Sequence, residues 1–579
     1  MRQPWITDTQ PSSRYPHYTR ANAGEVLPDP VTPLGWTFVW QEAFLPGWCD
    51  GNEATGAFAA GELDRSRPQD VGGNFAGYYY INLSSMRMHG VRNPDVTLEQ
   101  LEAGLLGAHP DVPPYLPHPG DERPDLADGI AAHTRWTLTA DRWPELDTDR
   151  ARAEALRRAR PELVTESDAG LLARARSTQP LLRESFARHA VSSFGAAASP
   201  AVLAAIGEAL GRPELPSTVL AGLGDIESAR PVQAQWELSR MIRHSDRLSG
   251  LFDEGTGSVL AGLRTPSARP EVSAFARAWQ DYLDQYGYRG PSEWELMAPS
   301  YHIDPSLGLI LLDSIRRQPD EDSPARRAER HRAPRERTIA EVRAALAGQP
   351  ESAAAFESAL HAARFIGWRE RTKSTSVQVL NETRLVFHEL SRRAVRSGHL
   401  EEAGDLYMLT SSELDDYWAR PARMGHELAA RRRDWTELFT RQPPFIIADG
   451  KVPALEHWAR RGRPVEPESD RWGATVLRGI SGSAGTVTGR ARIIHDPFDP
   501  DGVEPGEILV APNTDPSWTP LFLVAAGVVV DSGSQISHSV IVSRELGLPC
   551  VVAATGASRT IPNGTLITVN GSTGTIHIH

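Results

Sequence analysis

The sequence predicts a multidomain α + α/β protein, in which a large, mainly helical domain with an irregular and β-containing N-terminal cap precedes a smaller β/β/α domain. Three observations lead to this prediction. Between about Asp121 and Arg441, apolar residues recur every three or four positions, as in helices that bury one face. From Thr486 onward, short apolar or alternating runs are separated by small turns. Residues 460–473, which are polar and contain proline, are typical of a linker, so we expect domains at 1–459 and 474–579.

Composition excludes several function classes. The 579 residues are enough for roughly two to four domains. A net charge of −13 offers no basic surface for nucleic acid. The apolar runs are shorter than the ~18 residues that a membrane helix needs, and the N-terminus has no signal-peptide core. Cys49 and Cys550 have neither disulfide nor metal-ligand spacing. We therefore expect a cytoplasmic protein that binds no metal, no nucleic acid and no membrane.

The N-terminal cap is rich in aromatic residues and proline. Residues 19–39 contain three prolines and are predicted to form an extended loop that leads into a helix. Tyr78–Leu83 alternates and is predicted to be a strand. Residues 98–119 are predicted to be a loop, either a mobile flap over a pocket or a surface excursion.

Within the helical domain, we expect one helix to begin at Ser199 and end near Gly211, and another to end at Gly287. The basic run 326–337 is interpreted as a solvated helix face.

Two segments of the helical domain carry residues suited to phosphoryl chemistry. Arg289 and Glu293 are bracketed by glycine and proline and could face one pocket. Arg369 and Lys373 lie one turn apart on one predicted helix face, which does not include Glu370, and Arg384 follows later. Guanidinium and ammonium groups both bind a phosphoryl group. For each residue taken alone, an ordinary surface ion pair is the simpler explanation.

The C-terminal domain contains the most informative histidine. One helix is expected between Pro516 and Ala526, and another begins at His538, with Ser537 as its N-cap and Gly547 after its last turn. A helix N-terminus favours an anion, so His538 is suited to carrying a phosphoryl group on a ring nitrogen. The alternative is a histidine at a helix start with no chemical role.

The residues around His538 resemble the swivelling phosphohistidine domain of phosphoenolpyruvate-utilising (PEP-utilising) enzymes. That family has a Gly-Gly loop, then Ser/Thr/Cys-His-Ala, an apolar pair and Ala/Ser-Arg-Glu-Leu/Tyr-Gly-Ile/Leu-Pro. The matching positions here are Gly533, Ser534, Ser537, His538, Ser539, Val540, Ile541, Ser543, Arg544, Glu545, Leu546, Gly547, Leu548 and Pro549. Ser534 replaces the second glycine, and Ser539 replaces the alanine. The resemblance implies that His538 is catalytic and that Gly533, Ser534, Ser537 and Arg544 form its loop.

The N-terminal region resembles the acceptor-binding region of rifampicin phosphotransferase-like proteins. The matching residues are Asn22, Gly24, Glu25, Pro28, Thr32, Pro33, Tyr80, Asn82 and Arg87. Tyr288 stands where that family usually has histidine, so the identity of the general base stays open, with Glu293 as a candidate.

Together, the resemblances imply a phosphotransferase that moves a phosphoryl group from ATP through phospho-His538 to a small-molecule hydroxyl acceptor, such as a bulky alcohol or phenol. Arg289, Arg369, Lys373 and Arg384 would then neutralise the phosphoryl group. The N-terminal region shows no glycine-rich phosphate loop, and lysine occurs only at 373 and 451. We therefore expect a separate ATP-grasp subunit to bind Mg²⁺ with ATP, and this chain to bind no cofactor, as in the histidine-bearing subunit of phenylphosphate synthase. The alternative is a phosphohistidine carrier or regulatory binding protein without catalysis of its own, or a former enzyme that only binds a ligand.

Overall fold

The computed structural model describes residues 5–94, 96–106, 109, 111–223, 227, 230–264, 269–461, 475–499 and 502–579. The chain divides into two compact units. The first unit comprises Met1–Ala196, Trp294–Ala298 and Arg371–Arg463, and the second comprises Ala197–Glu293, Pro299–Glu370 and Pro464–His579. The predicted helical domain, 1–459, therefore contributes to both units. The predicted linker, 460–473, lies outside the described residues apart from Arg460 and Arg461, and its role as a hinge stays a prediction.

The first unit combines a small antiparallel sheet with helices. Its strands, in the order β2-β3-β1-β4, are β1 (Tyr18–Thr19), β2 (Gly72–Phe75), β3 (Tyr78–Asn82) and β4 (Ile446–Ile447). Its α-helices are Ala23–Val26, Leu45–Ala54, Leu83–Val91, Leu98–Leu106, Ala127–Thr139, Pro144–Arg158, Leu414–Ala419 and Gly425–Leu438, and Gly35–Phe44 is a π-helix. Two longer helices, Asp168–Ala209 and Arg364–Arg396, contain residues of both units.

Aromatic side chains fill the core of the first unit. Phe44 stacks on Phe186 with ring centroids 4.4 Å apart, and Trp40 and Trp294 pack edge-on or tilted against the same group. The aromatic residues of the N-terminal cap thus form this core.

The second unit joins a helical layer to the β/β/α part. Its α-helices are Leu215–Val219, Arg230–Arg243, Asp246–Asp253, Thr256–Arg264, Pro270–Tyr286, Pro305–Arg316, Pro324–Ala345, Pro350–Ala362, Thr519–Val524, His538–Leu546 and Ala557–Thr560. Its strands are β5 (Thr475–Arg478), β6 (Ile480–Ser483), β7 (Thr486–Ile493), β8 (Ile508–Ala511), β9 (Gly527–Val530), β10 (Cys550–Val552), β11 (Leu566–Asn570) and β12 (Thr575–Ile578).

These eight strands form one sheet in the order β5-β12-β11-β7-β8-β9-β10-β6. The pairs within β7-β8-β9-β10 are parallel and the remaining pairs are antiparallel. Strands β8, β9 and β10 are fully buried, as expected for parallel strands covered on both faces. In β9, Val528 and Val530 join the apolar cluster that includes Leu521 and Val540, whereas Val529 joins the cluster on the opposite face.

The predicted fold class, multidomain α + α/β, is confirmed. The predicted domain boundaries stay a prediction, and within the second unit one apolar cluster contains residues from both predicted domains. It contains Val232, Trp236 and Ile315 from the helical layer together with Trp518 and Phe522 from the β/β/α part.

Two local predictions were wrong. Residues 98–106 form a helix instead of a loop, because Leu98, Leu101 and Leu105 share a helical spacing and the Thr97 hydroxyl accepts a hydrogen bond from the Gln100 amide at 3.1 Å. Ser199 is not an N-cap, because it lies within the continuous helix Asp168–Ala209. The predicted ends at Gly211, which has φ +66°, and at Gly287 are confirmed to within two residues.

The helix Asp168–Ala209 is the one described helix whose length and apolar composition would suffice to cross a membrane. Within the fold, 56% of its most apolar window is buried. Burial of this kind is typical of a core helix.

Candidate active site

His538 is the first residue of the helix His538–Leu546, as predicted. Ser537 precedes it with extended backbone angles, and Gly547 ends it in the left-handed conformation at φ +66°. The Ser537 hydroxyl lies 3.0 Å from the Ser539 hydroxyl and does not cap the helix with its side chain. The replacement of alanine by Ser539 thus creates a contact at the start of the helix.

Gly533 and Arg544 shape the backbone of the loop that precedes His538. Gly533 has φ +125°, and a Cβ atom there would lie 3.1 Å from both the Ser537 Oγ and the Val552 Cβ. The buried Arg544 side chain donates hydrogen bonds to the carbonyl oxygens of Gly482, at 2.8 Å, and Gln535, at 3.2 Å. Burial lowers the pKa of Arg544 to about 10, so it remains a cation at neutral pH. Arg544 therefore supports the loop backbone, and Ser534 is buried in the same loop.

His538 is only 4% exposed, and its imidazole contacts the hydroxyl of Thr519. Its Nε2 lies 3.1 Å from the Oγ1 of Thr519, which donates its own hydrogen to the Pro516 carbonyl at 2.9 Å. Because a hydroxyl has a single hydrogen, Thr519 accepts from Nε2, and Nε2 carries the ring proton in this arrangement. Phe522 packs edge-on against the ring with centroids 6.5 Å apart.

Asp515 connects the turn that carries Thr519 to the helical layer of the same unit. Its Oδ1 accepts from the Ser517 amide and caps the turn Pro516–Trp518, while its Oδ2 accepts from the Ser292 amide, both at 2.8 Å. Burial, together with the nearby charge of Glu293, raises the pKa of Asp515. Ser292 itself has φ +49°, which is unusual for a residue with a side chain. We refer to the Asp515–Ser292 contact as the latch.

Arg289 and Glu293 flank Ser292 and form a buried ion pair. Nη1 of Arg289 lies 3.1 Å from each carboxylate oxygen of Glu293, and both residues are at most 3% exposed. Burial opposes the charge of Arg289, but the carboxylates of Glu293 and Glu370 hold the pKa of the guanidinium above its ordinary value. The Tyr288 ring lies under the guanidinium at 5.0 Å. Arg289 and Glu293 are thus in direct contact, and their facing one pocket stays a prediction.

Arg369 belongs to the same unit and donates to Glu370 Oε1 at 2.8 Å. The sequence prediction placed Glu370 on a different helix face from Arg369, yet Glu370 is the ion-pair partner of Arg369. Two neighbouring long side chains can bend toward each other when both are buried.

The other two predicted cations belong to the first unit. The buried Arg384 donates to the Glu295 carbonyl at 2.9 Å, and Lys373 is half-buried. Beside them, the Glu295 carboxylate accepts from the Thr32 hydroxyl at 2.6 Å, and burial raises its pKa. The four predicted phosphate-binding cations are therefore divided between the two compact units, and their role stays a prediction.

Sequence reasoning missed Asp515 and Thr519. The signal was present, because Asp515-Pro516 is the pattern of an N-cap followed by a first-turn proline. Their contacts with Ser292 and His538 join residues far apart in sequence, which no local pattern reveals.

Two family comparisons match this chain. Residues 185–370 match the rifampicin phosphotransferase fourth domain, and residues 503–574 match the PEP-utilising enzyme mobile domain. Residues 503–574 are therefore similar to the mobile domain of PEP-utilising enzymes. His538, its loop and Asp515 all lie within this mobile domain, whereas Arg289, Glu293 and Arg369 lie within the fourth-domain match.

Several curated proteins are similar to this chain. A rifampicin phosphotransferase from Streptomyces sp is 33% identical over 339 residues, which cover 57% of this chain and 37% of that protein. An uncharacterized protein from Mycobacterium tuberculosis is 31% identical over 358 residues, covering 61% of this chain and 36% of that protein. The prodigiosin synthesizing transferase PigC from Serratia marcescens is 28% identical over 379 residues, covering 63% and 40%. The chain thus spans little more than a third of the length of these relatives.

Proposed function

We propose that this chain is a phosphotransferase component in which His538 carries a phosphoryl group from ATP to a small-molecule hydroxyl acceptor. The observation that carries this proposal is the placement of His538. It begins a helix of a PEP-utilising mobile domain, and the latch connects its neighbouring turn to the buried Arg289–Glu293 pair.

The proposed reaction has two transfers. In the first, the imidazole loses its ring proton and forms a bond to the β-phosphorus of ATP, the bond from that phosphorus to AMP breaks, and water hydrolyses the β–γ bond, which releases phosphate and leaves one phosphoryl group on His538. In the second, the acceptor oxygen attacks phosphorus, the phosphorus–nitrogen bond breaks, and the hydroxyl proton passes to a base, for which Glu293 is our candidate. Arg289, Arg369, Lys373 and Arg384 are proposed to offset the phosphoryl charge.

We propose that an ATP-grasp partner outside this sequence binds MgATP and loads His538. The sequence supports this proposal, because the N-terminal region has no glycine-rich phosphate loop with a nearby lysine, and both lysines, Lys373 and Lys451, come far later. A hydroxyl-bearing aromatic or other bulky acceptor, and a cytoplasmic location, belong to the same proposal.

A phosphohistidine carrier without catalysis is the second candidate. It is favoured by the ion pairs, because Arg289 and Arg369 are each engaged by a buried glutamate. One experiment distinguishes the two candidates, the double substitution Arg289→Met and Glu293→Gln. Only a phosphotransferase should lose phosphoryl transfer in this variant while the loading of His538 is unchanged.

Phosphoramidate tests the shared claim without the partner. Attack by the imidazole on this small donor forms the phosphorus–nitrogen bond and releases ammonia. We expect acid-labile, base-stable phosphate on the peptide containing His538, measured by mass spectrometry at neutral pH and by ³¹P NMR. Phosphate that is absent from that peptide, or equally distributed over exposed histidines such as His579, would contradict the proposal.

A further inference from the structure

The last strand of the eight-stranded sheet places two histidines on one exposed face. Ile576 is buried in the apolar cluster on the other face, and Ile578 packs against the same cluster. His579 lies one residue beyond β12, but its amide still donates to the Leu566 carbonyl at 3.0 Å, so the strand pairing continues. Because successive side chains of a strand point to opposite faces, His577 and His579 share the outer face, and both are exposed.

The ring of His579 reaches toward the position of His577. Thr568 of β11 lies directly across from His577 in the antiparallel register. The Nε2 atom of His579 lies 2.7 Å from the Oγ1 atom of that same threonine. Diagonal neighbours on two paired strands are within reach of long side chains, which explains this contact. The two imidazoles are therefore brought together beside Thr568.

The contact with Thr568 is of the kind that orients a metal-binding histidine. The Thr568 hydroxyl also lies 2.8 Å from the Thr488 hydroxyl of β7. When Nε2 of His579 donates to Thr568, the threonine can pass its own hydrogen to Thr488, and Nδ1 of His579 keeps its lone pair. Histidines that bind a metal usually donate their second ring N–H to an acceptor in this way.

The spacing of the two histidines suits chelation. Residues two apart on a strand are separated by about 6.7 Å. Zinc–imidazole bonds are about 2.0–2.1 Å long, so two tilted rings can hold one ion between them. Among the described residues, no group of three or more His, Cys, Asp or Glu side chains could hold a metal ion, so water would complete the coordination. The expectation that the chain binds no metal rested on its two cysteines, which are elsewhere in the fold.

We propose that His577 and His579 form a surface site for a divalent transition-metal ion, with Thr568 as a positioning residue. Imidazole ligands suit copper, nickel and zinc, and Cu²⁺ binds most tightly of the three. Mg²⁺ and Ca²⁺ prefer oxygen ligands and should not bind here. The proposal does not depend on phosphoryl transfer, because it uses only residues of β7, β11 and the end of the chain after Thr575.

Titration of the untagged full chain with Cu²⁺ at neutral pH, followed by calorimetry and electron paramagnetic resonance, tests the proposal. We expect one ion per chain to bind most tightly, with hyperfine splitting from two imidazole nitrogens. His577→Thr and His579→Thr should each weaken this binding by roughly 100-fold, because the second ligand of a chelate binds as an intramolecular event. Thr568→Val should weaken it by roughly 10-fold. Threonine and valine both favour strands, so these variants should keep the fold.

His426→Gln is the matched control. His426 is also exposed, but it lies in the first turn of the helix Gly425–Leu438 and has no second histidine within four residues. Its replacement should leave the affinity for Cu²⁺ and the two-nitrogen signal unchanged. Unchanged affinity in His577→Thr, a signal from a single nitrogen, or an equal loss of binding in His426→Gln would overturn the proposal. Binding of Mg²⁺ with the affinity of Cu²⁺ would do the same.

Discussion

Replacement of Asp515 by asparagine should open the latch while preserving the turn that the aspartate caps. The asparagine oxygen can still accept from the Ser517 amide, as Oδ1 does now. The amide nitrogen that replaces Oδ2 would face the Ser292 N–H. Both groups are donors, so the 2.8 Å hydrogen bond from Ser292 to Asp515 would be lost. The substitution therefore removes one contact without removing the cap.

The size of the effect follows from this single bond. A hydrogen bond to a charged acceptor contributes about 1.5–3 kcal/mol. Asparagine carries no charge, so it escapes the burial penalty that raises the pKa of Asp515, which offsets part of the loss. A net change of about 1–2 kcal/mol corresponds to a roughly 5- to 30-fold larger population of the open state.

Two measurements report this population. Hydrogen exchange of the Ser292 amide should accelerate by the same factor, because exchange requires the bond to open. Phosphoramidate should phosphorylate His538 faster, since the imidazole is 4% exposed with the latch closed. Ser517→Ala is the control: it removes the hydroxyl that also binds Asp515 but leaves the Ser292 contact intact. Unchanged exchange at Ser292 and an unchanged phosphorylation rate in Asp515→Asn would refute the reasoning.

Three further predictions concern His538, Glu545 and nucleotide binding by the whole chain. His538→Ala should abolish loading and transfer of phosphate and should also lower the free energy of unfolding by about 1–3 kcal/mol, because the ring is buried and hydrogen-bonded to Thr519; an alanine variant that still transfers phosphate at the full rate would contradict the assignment. Glu545, which accepts from the Leu223 amide at 3.1 Å, has its pKa raised from 4.5 to about 7, chiefly by burial. Its contribution to stability is therefore fully present below pH 4.5 and is lost as the pH rises to about 7, by about 3 kcal/mol. Glu545→Gln should remove this loss in denaturant titrations at pH 5 and 8, whereas the exposed Glu271→Gln should not; equal pH dependence in both variants would disprove the effect. Calorimetric titration of the purified chain with MgATP should show no micromolar binding, and such binding would reveal a nucleotide site in this chain.

The sequence predicted correctly those features that depend on residues close together in the chain. The helix at His538 was predictable because its boundaries are marked by nearby residues, Ser537 before it and Gly547 after it, although the Ser537 side chain makes no capping hydrogen bond. The place of Ser199 inside a helix was not predictable, because serine favours helix ends, whereas packing extends the helix Asp168–Ala209 through this residue. The latch was also hidden, because it joins a residue at 292 to one at 515, and only tertiary structure brings them together.

The apolar cluster shared by the helical layer and the mobile domain has a consequence for when His538 can react. Trp518 and Phe522 pack in the same cluster as Val232 and Trp236. Any movement that uncovers His538 by separating these groups would expose them to water, which opposes it. The packed arrangement is therefore favoured over any in which these groups separate, and it covers His538. The proposed loading partner would reverse this balance by offering apolar surface of its own, so recognition of that partner and exposure of His538 would be a single event.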